Sequence, residues 1–261
     1  MAKPDHIELP TGERIEILYE DRSVIAIDKP RDWMLVPISW QKTNRNLQAA
    51  LTSSIAARDF WARSRGLRFL RFVHRLDADT TGILLLAKSP GAVASYGALF
   101  ESREMEKIYL AVVLGVPKQT DWTCRLKIGQ DAREHGRMRV DARHGKEAET
   151  HFRVLQARQQ TTLVEARPLT GRTHQIRVHL AESGHPVVGD EFYGSSKSAE
   201  SDHQRETRRG AAKGRSSERY PHLGLRAIAL AYVDPFTRRR VEIRAPIEAF
   251  VREYGFELPK I

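Results

Sequence analysis

The 261-residue sequence predicts an α+β fold, with a mixed, largely antiparallel central sheet flanked by helices and loops. Three observations point there. Apolar runs of strand length recur along the chain between Gly, Pro, Asp and Ser turn residues. Segments with helical spacing are few and do not alternate with the strands in the regular order that a parallel sheet needs, and the sequence contains no internal repeat.

In order along the chain, residues 15–30 read as two short strands around the polar turn Glu20-Asp21-Arg22-Ser23, with Pro30 ending the second. Leu47, Leu51, Ile55 and Ala56 fall at helical spacing, which predicts one helix from about Asn46 to Ser64. Phe69–Val73 and Ile83–Lys88 are apolar strands separated by a polar turn. Ser89-Pro90 supplies an N-cap and a first helical residue for a helix through about Ser102. Lys107–Gly115 reads as a buried strand, 120–155 as short polar strands and turns, and Thr161–Leu169 as another strand. Thr173 to Ser183 is a helix stopped by Gly184. After a Ser-, Gly- and charge-rich stretch at Ser195–Arg219, expected to be mobile, Leu225–Val233 and Arg239–Arg244 close the fold as paired strands. Residues 1–14 are expected to be an N-terminal extension and 15–261 one domain with the 195–219 stretch as a basic insertion.

Composition narrows the function. Forty-three Lys and Arg against 33 Asp and Glu give a net charge of +10, which suits a polyanionic partner. A single cysteine, Cys124, excludes an internal disulfide framework and the thiolate sets of common zinc sites, so a reducing compartment, the cytosol, is expected. The first residues lack the apolar run of a signal peptide, and no segment approaches the roughly 20 apolar residues of a membrane span.

Two constellations carry chemistry. In His74-Arg75-Leu76-Asp77-Ala78-Asp79-Thr80-Thr81-Gly82 a carboxylate sits beside an arginine in a tight turn between apolar strands. Asp77 can be a reactive acid there, or simply a residue that caps its own turn. In Thr170-Gly171-Arg172-Thr173-His174-Gln175-Ile176-Arg177-Val178-His179-Leu180, Ile176 and Leu180 lie one helical turn apart and should face inward. Arg172, His174 and Arg177 crowd a helix start that is already positive, either as a solvated basic face or as a site awaiting an anion. A metal site on His174 and His179 is disfavoured, since an i, i+5 pair does not share a helical face.

The block around Asp77, continuing to Ala87-Lys88, resembles the signature of pseudouridine synthases of the RluA type. Four further stretches match that family in order: Asp28-Lys29-Pro30, Lys107–Gly115, Leu169–His179, and Gly184-His185-Pro186-Val187-Val188-Gly189-Asp190 with Tyr193-Gly194. The resemblance spans roughly residues 18 to 246. It implies the pseudouridine synthase fold and an RNA-modifying isomerase that needs neither cofactor nor metal and acts on ribosomal or transfer RNA. By the same resemblance Asp77 is the catalytic aspartate, Tyr109 stacks on the target base, Ile176 lies on the other face, and Arg177 pairs with Asp77. Arg75 enters the RNA stack while the uridine is flipped out, a step that costs a few kcal/mol and is offset by phosphate contacts. Arg172, His74 and His174 are assigned to substrate binding, the two histidines as scaffold or RNA-facing groups rather than catalysts. A monomer is expected.

The sequence also departs from the family pattern. Thr81 stands where serine is more usual, Arg31–Pro37 replaces a glycine-bearing stretch, so that loop takes a different path or fills extra space with Trp33, and Arg226 stands where histidine is common. No RNA-binding module precedes residue 15, so target recognition is expected within the catalytic domain or from a partner. The competing reading is a catalytically silent RNA-binding or chaperone protein on the same fold, against which the intact Asp77, Tyr109 and Arg177 argue. A hydrolase is less supported, because the sequence offers no second committed carboxylate at a convincing position and no Gly-x-Ser-x-Gly elbow.

Overall fold

The computed structural model describes residues 3–35, 45–194 and 220–259, so the expected 195–219 insertion and the end of the Arg31–Pro37 loop lie outside the described residues. The chain forms two compact units interleaved in sequence: Met1–Lys107 with Ala227–Ala245, and Ile108–Arg226 with Pro246–Ile261. Two of the three crossings, at 107/108 and 226/227, fall inside strands and the third just beyond the last strand, so composition showed no boundary.

In the first unit, β1 (His6–Glu8), β2 (Arg14–Glu20), β3 (Val24–Lys29) and β5 (Thr81–Ala87) lie side by side, followed by β12 (Leu225–Val233) and its partner β13 (Arg240–Arg244). The pairs β1/β2, β2/β3, β3/β5 and β12/β13 are antiparallel. The unbroken apolar runs of β3 and β5 are buried almost throughout. Helix α3 (Pro90–Glu101) starts where predicted, with the Ser89 hydroxyl accepting the Ala92 N–H at 3.2 Å and Pro90 at the first turn. Its Ala92 and Tyr96 join a core with Val24, Ala26, Leu85, Leu230 and Ile243. Trp33 is fully buried, and its indole N–H donates to Glu13 at 3.0 Å.

Two expectations need correction in this unit. Residues 6–8 are not an extension but a strand in register with β2, Ile7 opposite Ile15, because the turn at Gly12 folds them back. The single helix expected over 46–64 is two, α1 (Leu47–Ala56) and α2 (Phe60–Arg63). Arg58 adopts φ +59° at the corner, where the buried Ser54 hydroxyl bonds Asp59 and receives the Trp61 indole N–H at 2.8 Å. A left-handed residue ends a helix whatever the apolar spacing beyond it.

In the second unit, β6 (Glu106–Leu114), β11 (Thr161–Pro168), β10 (Thr150–Ala157) and β7 (Asp121–Cys124) form an antiparallel sheet in that order, with Tyr109 opposite Ala166 and Phe152 opposite both Ala166 and Trp122. A separate hairpin pairs β8 (Ile128–Gln130) with β9 (Met138–Val140). Helix α4 (Gln175–Glu182) packs Ile176 and Leu180 against Ala111, Val113, Phe152, Val164 and Ala166. It begins two residues later than predicted, and a last helix, α5 (Glu248–Glu253), was not anticipated.

Candidate active site

Asp77 lies in the loop of a hairpin whose arms are β4 (Arg71–Phe72) and β5, with Phe72 opposite Leu86 and the Val73 N–H donating to Leu85 O at 3.0 Å. The loop is short and polar, as the sequence indicated, and the Thr80 N–H closes a turn onto Asp77 O at 3.2 Å. Leu76 and Thr80 anchor it inward, while Asp77 is half-buried and Arg75 and Asp79 are exposed.

The group that shapes this loop is Lys29. Its side chain is fully buried and its ammonium donates to three carbonyls: Pro30 at 2.9 Å, Ala78 at 2.6 Å and Thr80 at 3.0 Å. Three acceptors match the three N–H bonds of an ammonium, so the end of β3 is tied to the residues on both sides of Asp79. Burial pulls the Lys29 pKa down to about 8, against the opposing pull of Asp79, Asp77 and Asp32. The loop's exit is equally constrained. Gly82 sits at φ +105° against the Ala227 carbonyl of β12, where a Cβ would overlap that oxygen.

His74 is a scaffold residue. Its ring stacks on Phe100, with centroids 4.7 Å apart, and its Nε2 accepts the Leu85 N–H at 3.1 Å. Burial, reinforced by Lys107, pushes its pKa down to about 3, so it stays neutral. Of the two roles expected for it, its contacts describe the structural one.

The second unit groups three of the predicted residues. Tyr109, half-buried on β6, packs against the same apolar cluster as Ile176 at the start of α4, and Arg177 follows Ile176. Arg177 is buried and clamped by Asp190, with Nε donating to one carboxylate oxygen at 2.7 Å and Nη2 to the other at 2.9 Å. Such a fork fixes the guanidinium plane as well as its position. The Phe192 and Tyr193 rings lie 5.6 and 5.3 Å from the guanidinium carbon, within cation–π range. Asp190 is itself held by the Phe192 and Tyr193 N–H groups at 3.0 and 3.1 Å.

Arg172 spends its Nε–H on the Glu147 carbonyl at 2.9 Å. His174 is not in the helix but is its N-cap, at φ +54°, and its Nδ1 lies 2.9 Å from the Tyr193 hydroxyl. His179, buried, faces Thr150 Oγ1 and Leu126 O at 3.0 Å each, so both ring nitrogens are engaged in the scaffold. Among the described residues no group of three His, Cys, Asp or Glu is arranged to hold a metal, and no helix is long and apolar enough to cross a membrane. Arg226, one of the departures, is buried and donates to Pro246 O at 3.0 Å. Lys29, Asp190 and Tyr193 all stood inside matched blocks, but nothing local in the sequence showed what they bind.

The first unit thus presents a carboxylate on a pinned loop, and the second unit groups a tyrosine, an apolar residue and an oriented arginine. The RNA pseudouridylate synthase family model matches residues 23–182, and the chain belongs to that family. It is 33% identical over 233 residues to the uncharacterized RNA pseudouridine synthase YlyB of Bacillus subtilis, covering 89% of this chain and 69% of that one. It is 31% identical to the dual-specificity RNA pseudouridine synthase RluA of Vibrio cholerae, covering 73% of each, and 35% identical to ribosomal large subunit pseudouridine synthase C of the same organism, of which it spans only 54%. Among solved structures, human RNA pseudouridylate synthase domain containing 1 superposes with a TM-score of 0.65 at 28% identity, covering 89% of this chain and 83% of that one. Human RNA pseudouridylate synthase domain containing 4 shares the fold, with a TM-score of 0.70 at 24% identity and 94% of both chains covered.

Proposed function

We propose that this chain converts specific uridines of structured ribosomal or transfer RNA to pseudouridine, with Asp77 as its reacting carboxylate. The reaction breaks the bond from uracil N1 to ribose C1′, turns the base, and joins C5 to C1′. The C5 proton leaves to water and N1 gains one, so the product is an isomer and no redox partner is consumed. The observation that carries the reading is the Lys29 ammonium holding the carbonyls of Ala78 and Thr80, which fixes in place the loop that bears Asp77. In a preorganised loop the acid needs no rearrangement when the substrate arrives.

Tyr109 and Ile176, sharing one apolar cluster, are suited to the two faces of the flipped base. Arg177, already oriented by Asp190, is the arginine that the family resemblance assigns to the catalytic aspartate. To the exposed Arg75 we assign entry into the RNA stack. Arg172 and His174 act through the backbone and Tyr193 contacts that shape the start of α4, and the net charge of +10 supplies long-range attraction to phosphate. The lone cysteine supports action in the reducing cytosol.

The test is release of tritium from RNA labelled at uridine C5. The wild-type protein should release the label from unmodified cellular RNA, and Asp77→Asn should abolish release while RNA affinity stays within a few-fold, since phosphate contacts dominate binding. Binding without release by the wild type would favour the silent RNA-binding reading and refute this one.

A further inference from the structure

We infer that Tyr193 is a positioning residue for the reaction, whose hydroxyl locks the β8–β9 hairpin to the first turn of α4 and so holds Arg177 in its working orientation. The inference rests on the function proposed above. Tyr193 is buried and its hydroxyl has partners on two separate elements. It accepts the Met138 N–H at 2.9 Å and donates to the Met138 carbonyl at 3.1 Å. The third contact, 2.9 Å to His174 Nδ1, then takes the second lone pair, which makes Nδ1 the protonated nitrogen. With one donor and two acceptor sites, the hydroxyl is saturated. Burial also raises its pKa to about 12, so it remains an O–H across the working range.

The ring does a second job. The guanidinium carbons of Arg137, in the loop between β8 and β9, and of Arg177 lie 5.5 and 5.3 Å from its centroid. The ring thus links a cation of the hairpin to the arginine of α4, while the neighbouring Asp190 grips that arginine from its edge. His174 explains why the lock is needed. It holds φ +54°, a left-handed conformation unfavourable for a non-glycine residue, and it caps α4 without any side-chain hydrogen bond to the helix. The bond to Tyr193 keeps that residue, and therefore the first turn bearing Ile176 and Arg177, in place.

Tyr193→Phe removes only the hydroxyl and keeps the ring against both guanidinium groups. In the tritium-release assay on the full-length protein, kcat should fall about tenfold, the equivalent of one hydrogen bond of about 1.4 kcal/mol in the transition state, while KM for RNA moves less than twofold. His174→Ala should give a similar loss. The double variant should be no slower than the worse single one, because both changes break the same bond. Thermal melts show whether each variant is folded at the assay temperature, and if Tyr193→Phe is not, the kcat and KM of His174→Ala decide alone. Unchanged kcat in either folded variant, a loss appearing mainly in KM, or fully additive losses would overturn the inference. A wild-type protein that releases no label refutes the proposed function itself, and the role of Tyr193 falls with it.

Discussion

Replacing Lys29 with methionine isolates the contribution of the buried ammonium to the Asp77 loop. Methionine fills a similar volume but donates nothing, so the carbonyls of Pro30, Ala78 and Thr80 lose partners now at 2.9, 2.6 and 3.0 Å. A hydrogen bond from a charged donor contributes about 1.5–3 kcal/mol. Three of them exceed 4 kcal/mol in gross terms, but removing the ion also recovers the cost of desolvating it, so a net loss of about 3 kcal/mol in loop order is expected. That is roughly a hundredfold shift in the ratio of ordered to disordered loop. Tritium release by Lys29→Met should therefore fall by one to two orders of magnitude, with RNA affinity nearly unchanged.

The pH dependence gives a second, independent reading of the same group. With a folded pKa of about 8, Lys29 loses its charge as pH rises through 8, and a neutral amine has two N–H groups for three carbonyls. Activity should decline above pH 8 in the wild type, and this component of the decline should be missing in Lys29→Met. The contribution to stability has the opposite sign. Between about 8 and the unfolded value of 10.5 the unfolded chain holds the extra proton, so this group makes the fold more stable as pH rises through that window. Activity falling while the Lys29 contribution to stability rises is the signature. Lys29→Met with kcat within twofold of the wild type would refute the reasoning.

Arg177→Lys replaces a planar fork by a point charge that cannot serve both oxygens of Asp190 in the same way. Losing one charge-assisted bond of about 2 kcal/mol predicts a kcat some 30-fold lower in the tritium assay. Gly82→Ala must place a Cβ against the Ala227 carbonyl from a left-handed backbone. A cost of about 3 kcal/mol should lower the melting temperature by roughly 6–12 °C in differential scanning calorimetry. His74, held down to about 3, makes the fold less stable as pH falls from 6.5 toward 3, because the unfolded imidazole takes a proton that the native one refuses. Urea midpoints measured from pH 7 to 4.5 should fall less steeply for His74→Gln than for the wild type.

Much of the fold was legible because its signals are local. The Ser89-Pro90 start of α3, the hairpin arms around Asp77 and the buried β6 and β11 strands follow from side chains within a few residues of one another. What escaped depended on contacts distant in sequence. The strand at residues 6–8 carries one strongly buried side chain, Ile7, too few to show alternation, and it is recognisable only once it lies beside β2. The break between α1 and α2 comes from a left-handed Arg58 beside a buried Ser54–Asp59–Trp61 cluster, a feature that apolar spacing does not register. His174 looked like a first-turn helical residue, yet it caps the helix from a strained conformation because Tyr193, nineteen positions on, bonds its ring.

By itself the sequence determined the fold class and the five ordered blocks that carry the family resemblance, since these reside in residue types and their short-range spacing. Only the tertiary structure decided what holds them. Lys29 meets the Asp77 loop across 49 and 51 positions, and Asp190 meets Arg177 across 13. A buried ion finds its partners through the folded backbone rather than through its neighbours in the chain, so the supports of the site appear only once the chain is folded.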